Sequence, residues 1–472
     1  MSNDAIVLLS VLLLLVLVFL KQPVWISLAS SGFVGIVLLA GFGNAVGSLG
    51  SLAFTAISQF TFIVIPMFVF MGMFIERAGV AEDVFVTVAR LTRRIPGGVG
   101  VATILACGMF AAVTGASAAV VASVGKLAIG EMTKHGYRRE SAAALVSVAG
   151  TVGVLIPPSV LLVVFGIVAQ VSIGQLLVAG VVPGVLTVLA YAIAVVVLSR
   201  TRFFTARVER DALVDATVGG GAPVTASTLT TRHDTPDPGA PGLSHTRVTG
   251  KNLIGTVYLA VVFAIVFVGI YSGIFTVTES AAVAAAASLV ILWIRRRSDV
   301  RGALRATWAA VHDTGSLSTM VLSLIAGGSI FAYMVARSGA PGRLGDAIVS
   351  SGIPPLAILL AALAILLVLG AFLDSYSILI LTVPVFFPVL VGLGYHEIWI
   401  AIVFVKIIEL GLVTPPFGLN VFVVAGVAKG LDIGAVFARV LPLLLADLVV
   451  VIVMIAFPDI VTFLPDQMGF AR

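Results

Sequence analysis

Residues 364–391 read AILLVLGAFLDSYSILILTVPVFFPVLV, an apolar run with a single charge, Asp374, near its middle. An acid at membrane depth costs about 2.5–3.5 kcal/mol even on lenient insertion scales, so it marks a substrate, ion or proton site by default. Gly370 precedes it, and a Pro-broken segment, LVTPPFGLN (412–420), follows about forty residues later. A buried acid, a glycine and a broken helix are the materials of a cation site in a membrane transporter.

The rest of the chain agrees with a membrane setting. Its 472 residues are 60% hydrophobic and only 10% charged, with mean hydropathy +1.20, and apolar runs of spanning length recur throughout. The formal charge of +5 comes from Lys and Arg in short connections, which reads as membrane orientation and gives no sign of nucleic-acid binding. The single cysteine, Cys107, excludes intramolecular disulfides and cysteine metal clusters, and the five histidines are scattered. The N-terminal run lacks a basic n-region and a cleavage site, so it reads as a retained helix and not as a signal peptide. No HExxH, Walker loop, GxSxG elbow or His-centred triad supports an enzyme.

About ten crossings are predicted: 5–20, 24–41, 51–76, 141–168, 173–198, 253–272, 276–294, 315–335, 397–428 and 434–457. Lys21, Arg90/Arg93/Arg94, Lys134/Arg138/Arg139, Arg200/Arg202/Arg207 and Arg295/Arg296/Arg297/Arg301 belong to the cytoplasmic side, and the uncharged connections near 42–48, 169–172 and 272–275 to the outside. Both termini then lie outside. Residues about 98–132 and about 353–393 fit two half-passes each, with polar tips VTGAS (113–117) and LGAFLDS (369–375), and read as re-entrant hairpins entering from opposite sides.

The hairpins belong to an internal repeat. Pro157-Pro158 in GTVGVLIPPS (150–159) corresponds to Pro415-Pro416 in ELGLVTPPFG (409–418) at an offset of 258, which also pairs Gly153 with Gly411, while Gly79 in ERAGVAED (76–83) corresponds to Gly339 in ARSGAPGR (336–343) at 260. An odd number of crossings separates the copies, so they are inverted, a hallmark of secondary transporters. The predicted fold is therefore an all-α polytopic membrane protein with two re-entrant hairpins in an inverted repeat. Its segments are N-terminal helices 1–50, repeat one 51–200, a Gly/Pro/Thr-rich flexible linker 201–250, further helices 251–310 and repeat two 311–465.

Sodium takes about five or six oxygens, often carbonyls freed where a helix unwinds. In copy one the tip Thr114, Gly115, Ala116, Ser117 should face the break formed by Gly150, Thr151, Gly153, Pro157, Pro158 and Ser159. In copy two Gly370 through Asp374 should face Thr414, Pro415, Pro416, Gly418 and Asn420. The metal candidates are Thr114, Ser117, Gly150, Thr151, Gly153, Gly370, Asp374, Glu409, Thr414 and Gly418. The substrate candidates are Thr114, Gly115, Ser117, Pro157, Pro158, Ser159, Asp374, Pro415, Pro416 and Asn420. Packing kinks are the bland alternative for one proline pair, but two matched pairs, each facing a polar tip, favour ion sites. Lys406 and Glu409, at i,i+3, share a helix face and are placed to neutralise each other, with Glu409 also placed to close the ion site. Glu279 reads as a helix cap, and Asp447 as a polar contact to a neighbouring helix or a partner subunit. Only the second cluster holds an acid at its tip, so its occupancy should depend on pH.

The blocks MTKHGYRRESAAALVSVAGTVGVLIPPSVLLVVFGIVAQVSIGQLLVAGVVPG, GIFTVTESAAV, GAFLDSYSILILTVPVFFPV and KIIELGLVTPPFGLNVFVVAGVAKG, in that order, resemble the large membrane subunit of tripartite ATP-independent periplasmic (TRAP) transporters, the DctM-like family. The resemblance covers nearly the whole chain outside 203–250. It implies an elevator-type ion-transporter fold and sodium symport of an organic acid, such as a C4-dicarboxylate or sialic acid, across a bacterial or archaeal inner membrane. It further implies two or more Na+ sites and two partners: a small four-helix DctQ-like membrane subunit on a separate chain, and a DctP-like periplasmic binding protein. Departures are the serine-poor tip at Thr114–Ser117, Val277 where proline is usual, and the long linker. A stand-alone organic-acid transporter and a non-transporting membrane scaffold are the alternatives.

Overall fold

A computed structural model of the chain describes residues 2–201, 203–204, 250–340, 342–343, 345 and 352–468. The expected linker lies almost wholly outside them. The described residues are helical, without a strand. In chain order the helices are α1 (Asn3–Phe19), α2 (Val24–Ala40), α3 (Phe42–Ile57), α4 (Val64–Arg77), α5 (Val80–Thr92), α6 (Gly98–Thr114), α7 (Ser117–Lys134), α8 (Arg139–Val152), α9 (Val160–Ala169) and α10 (Ile173–Arg200). They continue as α11 (Gly250–Tyr271), α12 (Val277–Arg295), α13 (Val300–Ser338), α14 (Pro355–Gly370), α15 (Ser375–Gly392), α16 (Glu397–Gly411), α17 (Leu419–Val427), α18 (Ile433–Ala456) and α19 (Asp459–Gln467).

Seven of these helical segments are long and apolar enough to cross a membrane, eight if α8 and α9, bent by 51° at their break, count as one. That number includes α15 by itself, while α1 and α2, at 17 residues each, fall among the shorter apolar helices. The chain is a multi-pass integral membrane protein. Three sequence assignments need correction. The span 51–76 is two pieces: α3 ends at Ile57, and the spanning segment is Phe60–Arg77. The expected connection 42–48 is the start of α3, because Phe42, Val46 and Leu49 recur at helical spacing through its small residues. The crossing 315–335 is the later part of a 39-residue helix, about 58 Å long, that Asp299 caps by accepting from Gly302 N–H at 2.8 Å.

The helices sort into two groups. α1–α5 pack with α11–α13, chiefly through α2 on α13, α4 on α12 and α5 on α11. α6–α10 pack with α14–α19. Between the groups the main contacts are α5 and α4 on α6, α13 on α15, and α4 on α9. Glycines make this seam close: a Cβ on Gly328 of α13 would stand 2.1 Å from Ile380 of α15, and one on Gly72 of α4 would stand 2.9 Å from the Thr114 backbone.

Within the second group the repeat is visible in the packing. α6–α7 and α14–α15 are hairpins, and α8/α9 and α16/α17 are broken helices. Contacts are reciprocal: α9 packs on α15 while its counterpart α17 packs on α7, and α10 packs on α16 while α18 packs on α8. Such self-complementary pairing is what a two-fold relation produces. Both Pro157–Pro158 and Pro415–Pro416 bonds are cis. Gly79 and Gly339, the outlying pair of the repeat, both adopt left-handed φ, 73° and 70°.

Polar contacts tie the helix ends together. Arg139 donates to Lys429 O at 3.1 Å, and Arg439 donates to Ser141 Oγ at 2.9 Å and Phe203 O at 2.6 Å. At the other end Asn3 donates to Ser338 O at 3.2 Å and Trp399 to Met454 O at 2.9 Å.

Candidate functional site

The two hairpin tips meet inside the second group. α6 ends at Thr114, and Gly115 turns the chain at φ 66°, donating to Ala111 O at 2.8 Å. Only glycine fits there: the left-handed turn disfavours a side chain, and a Cβ would lie 2.7 Å from Val160. The Gly115 carbonyl accepts from Tyr376 Oη of the second hairpin at 3.2 Å. The Thr114 hydroxyl is turned back to Phe110 O at 3.2 Å.

Asp374 caps α15. One carboxylate oxygen accepts from Tyr376 and Ser377 N–H, both at 3.1 Å, and the other from Ser377 Oγ at 2.5 Å. This capping offsets the cost of placing the acid in an apolar run. The tip reaches its own break: Phe372 and Phe417 rings lie 5.1 Å apart, and Gly370 and Gly411 press together so that a Cβ on Gly370 would come within 2.7 Å of the Gly411 Cα.

Glu409 is the acid at the centre, 2% exposed. Ser375 Oγ donates to its Oε1 at 2.8 Å. The Ser117 side chain, from the other hairpin, bears on the same carboxylate. Ser117 and Ser375 are related by the 258-residue offset and each opens the second arm of its hairpin. Oε2 of Glu409 is buried without a hydrogen-bond partner among the described residues. The expected Lys406–Glu409 pairing is not formed. Lys406 Nζ instead pairs with Asp447 of α18 in a buried salt bridge and lies 5.8 Å from the Tyr191 ring centroid. A helix-face argument sees only neighbours on α16, and the stronger partner comes from α18. Asp447 is thus the inter-helix contact expected of it. Glu279 forms a capping box with Thr276, accepting from its N–H at 2.8 Å, as expected.

The two breaks differ in access. In copy one Gly150, Thr151, Gly153, Pro157, Pro158 and Ser159 are all buried, and Ser159 caps α9 by accepting from Leu162 N–H at 3.3 Å. A Cβ on Gly150 would stand 2.9 Å from Ser117 O, which brings this break against its tip. In copy two Thr414 and Pro415 are half-buried and Pro416 is exposed. Gly418 and Asn420 are buried, with Asn420 Nδ2 donating to Ser147 O at 3.3 Å and Oδ1 left without a partner among the described residues.

The structure therefore brings Gly115, Ser117, Glu409, Ser375 and Tyr376 together, with Asp374 on the adjoining cap and Asn420 reaching α8. The sequence reading omitted Ser375, Tyr376 and Ser147; the offset from Ser117 was the signal for Ser375. Among the described residues no group of three or more His, Cys, Asp or Glu could hold a metal, so a cation here would be held by hydroxyls, carbonyls and single carboxylates. The unpartnered oxygens of Glu409 and Asn420 suit that kind of donor set.

The family model and the curated relatives agree on one family. The model described as "Tripartite ATP-independent periplasmic transporter, DctM component" matches residues 11–460. A C4-dicarboxylate TRAP transporter large permease protein of Pseudomonas aeruginosa is 33% identical over 94% of this chain and 95% of its own length. An isethionate TRAP transporter permease protein of Oleidesulfovibrio alaskensis is 30% identical over 91% of this chain and 64% of that protein. Among solved structures, the YdaH transporter of Alcanivorax borkumensis shares the fold, with a TM-score of 0.56 at 17% identity over 90% of this chain and 91% of that one.

Proposed function

Since this chain belongs to the DctM family, as the large permease subunit of a TRAP transporter, we propose that it moves a small organic anion across the inner membrane in symport with sodium. The anion is delivered by a periplasmic binding protein, and a small membrane subunit braces the permease. Relatives named for a C4-dicarboxylate and for isethionate support a carboxylate or sulfonate as the anion.

One observation carries the sodium assignment. Glu409 is a buried carboxylate with an orphaned oxygen, and the neighbouring cation, Lys406, is already committed to Asp447. An uncompensated buried charge is costly, so the carboxylate takes either a proton or a cation from solution, and the hydroxyl and amide oxygens around it favour the cation. Ser117 and Ser375 bring a hydroxyl from each hairpin to that point, so a cation bound to Glu409 ties both tips into one arrangement. Ordered tips then offer the backbone of the second break to an anion. Sodium binding thereby favours the substrate-loaded state, which couples the two fluxes.

The second helix group is the proposed moving element, sliding against α1–α5 and α11–α13 along the glycine seam. A water path towards the basic end is supported by α7. Its exposed positions are Ala122, Ser123, Lys126, Gly130 and Lys134, with no large apolar side chain among them, whereas α1 exposes Leu8, Leu9, Leu12, Leu15 and Val16. At about 1.5 Å per residue, Lys126 stands about 13 Å along α7 from the tip, where a departing anion would meet it.

The test is uptake into proteoliposomes containing this chain with its small subunit and binding protein. Uptake should require an inward sodium gradient and should not be replaced by a potassium gradient of equal size. Equal uptake in both would overturn the symport reading.

A further inference from the structure

Arg90, Arg93 and Arg94 converge on a cleft of about 500 Å³ that they line with Thr87, Leu91 and Leu253. Several other arginines at this end are held by the protein: Arg77 by Asp313, Arg295 by Asp83 at 2.6 Å, and Arg439 by the Phe203 carbonyl. The three in the cleft are exposed and form no ion pair among the described residues. Orientation in the membrane requires basic residues at this end. It does not require that they face one cleft with apolar walls.

The walls fix the depth. Leu253 is the second residue of the span Asn252–Tyr271, so the cleft sits where hydrocarbon meets headgroups. Leu91 is 76% exposed, Leu253 55% and Val257, one turn further into the span, 52%. We propose that this cleft binds the headgroup phosphate of an anionic phospholipid. The guanidinium forks take the phosphate oxygens, and the acyl chains descend over Leu253 and Val257. A free phosphate would gain nothing from the apolar wall, which favours the lipid. The site lies between α5 and α11, and α5 also packs on α6, so a bound lipid would fix the helix that leads into the first hairpin.

The test uses the purified full chain in neutral detergent, titrated with phosphatidylglycerol or phosphatidylcholine and followed by native mass spectrometry. With about a factor of several per arginine near an anionic headgroup, phosphatidylglycerol should bind about a hundredfold more tightly than phosphatidylcholine. In the triple variant Arg90→Gln/Arg93→Gln/Arg94→Gln the preference should fall to within about threefold. The triple Arg→Lys variant keeps the charge and should keep most of the preference, so a loss caused by misfolding is recognised by its appearance in both variants' thermal unfolding. Equal binding of the two lipids by the wild type would overturn the proposal. So would a preference that survives the Gln variant, or displacement of phosphatidylglycerol by inorganic phosphate at equal concentration.

Discussion

Glu409→Gln removes one charge and almost no volume, which makes it the sharpest probe of the site. Ser375 can still donate to the amide oxygen, as it does to Oε1 at 2.8 Å, so the hairpin contact survives. A cation held within about 4 Å of the carboxylate at an effective dielectric of about 20 gains about 4 kcal/mol from it. At 1.4 kcal/mol per tenfold, its loss lowers sodium affinity about a thousandfold. At sodium about a hundredfold above the wild-type Kd, binding stabilises the protein by about 2.7 kcal/mol, and in the variant by less than about 0.1 kcal/mol. Thermal unfolding of the detergent-solubilised protein in sodium and in choline reads this directly. The wild type should shift upward in sodium and the variant should not. In choline the variant should unfold no earlier than the wild type, because an unpaired buried charge has gone. Asp374→Ala is the contrast, since that carboxylate is engaged in capping α15 and its loss should lower stability in both salts by about 1 kcal/mol. A Glu409→Gln protein whose sodium shift matches the wild type would refute the reasoning.

Other outcomes follow from the same geometry. Asp447→Asn breaks a buried pair and should destabilise by about 3–5 kcal/mol; the freed Lys406 shares a helix face with Glu409 and should also weaken sodium binding, whereas Lys406→Met/Asp447→Leu should recover both stability and the sodium shift. Lys126→Gln should raise the KM for the anion several-fold with sodium affinity unchanged, and the difference from wild type should shrink at high salt. Gly328→Leu places a side chain where a Cβ already stands 2.1 Å from Ile380, and should abolish uptake while the sodium-induced thermal shift persists.

The hairpins and broken helices were legible because their signals are local and doubled. Gly115 and the two proline pairs are backbone requirements, and a constant offset carried the reading of one copy to the other. The extent of α13 was hidden because residues 300–314 mix charge with apolar positions, as a helix does beyond the hydrocarbon. Start and end of the span 51–76 were blurred by an equally apolar α3. The identity of the central acid was harder. Asp374 stands out along the chain, but its oxygens are used by its own helix start. Glu409 looks neutralised by Lys406 until α18, 41 residues away in sequence, claims that lysine.

The near-symmetry of the two copies sharpens the role of what breaks it. Serine matches serine at 117 and 375, and the proline pairs match, but the partner of Glu409 at the same offset is Thr151, whose hydroxyl is turned to Val148 O at 2.8 Å. The two-fold thus supplies two equivalent hydroxyl arms while the charge stands on one side only. That side is also the one whose break is open, with Pro416 and Phe417 exposed, whereas the buried first break caps and packs its own helix. A symmetric pair of acids would leave two buried charges, with Lys406 already paired to Asp447. On the proposed function, a single acid served by arms from both hairpins would need only one cation to bring the two halves to order, and would place that cation beside the more exposed break.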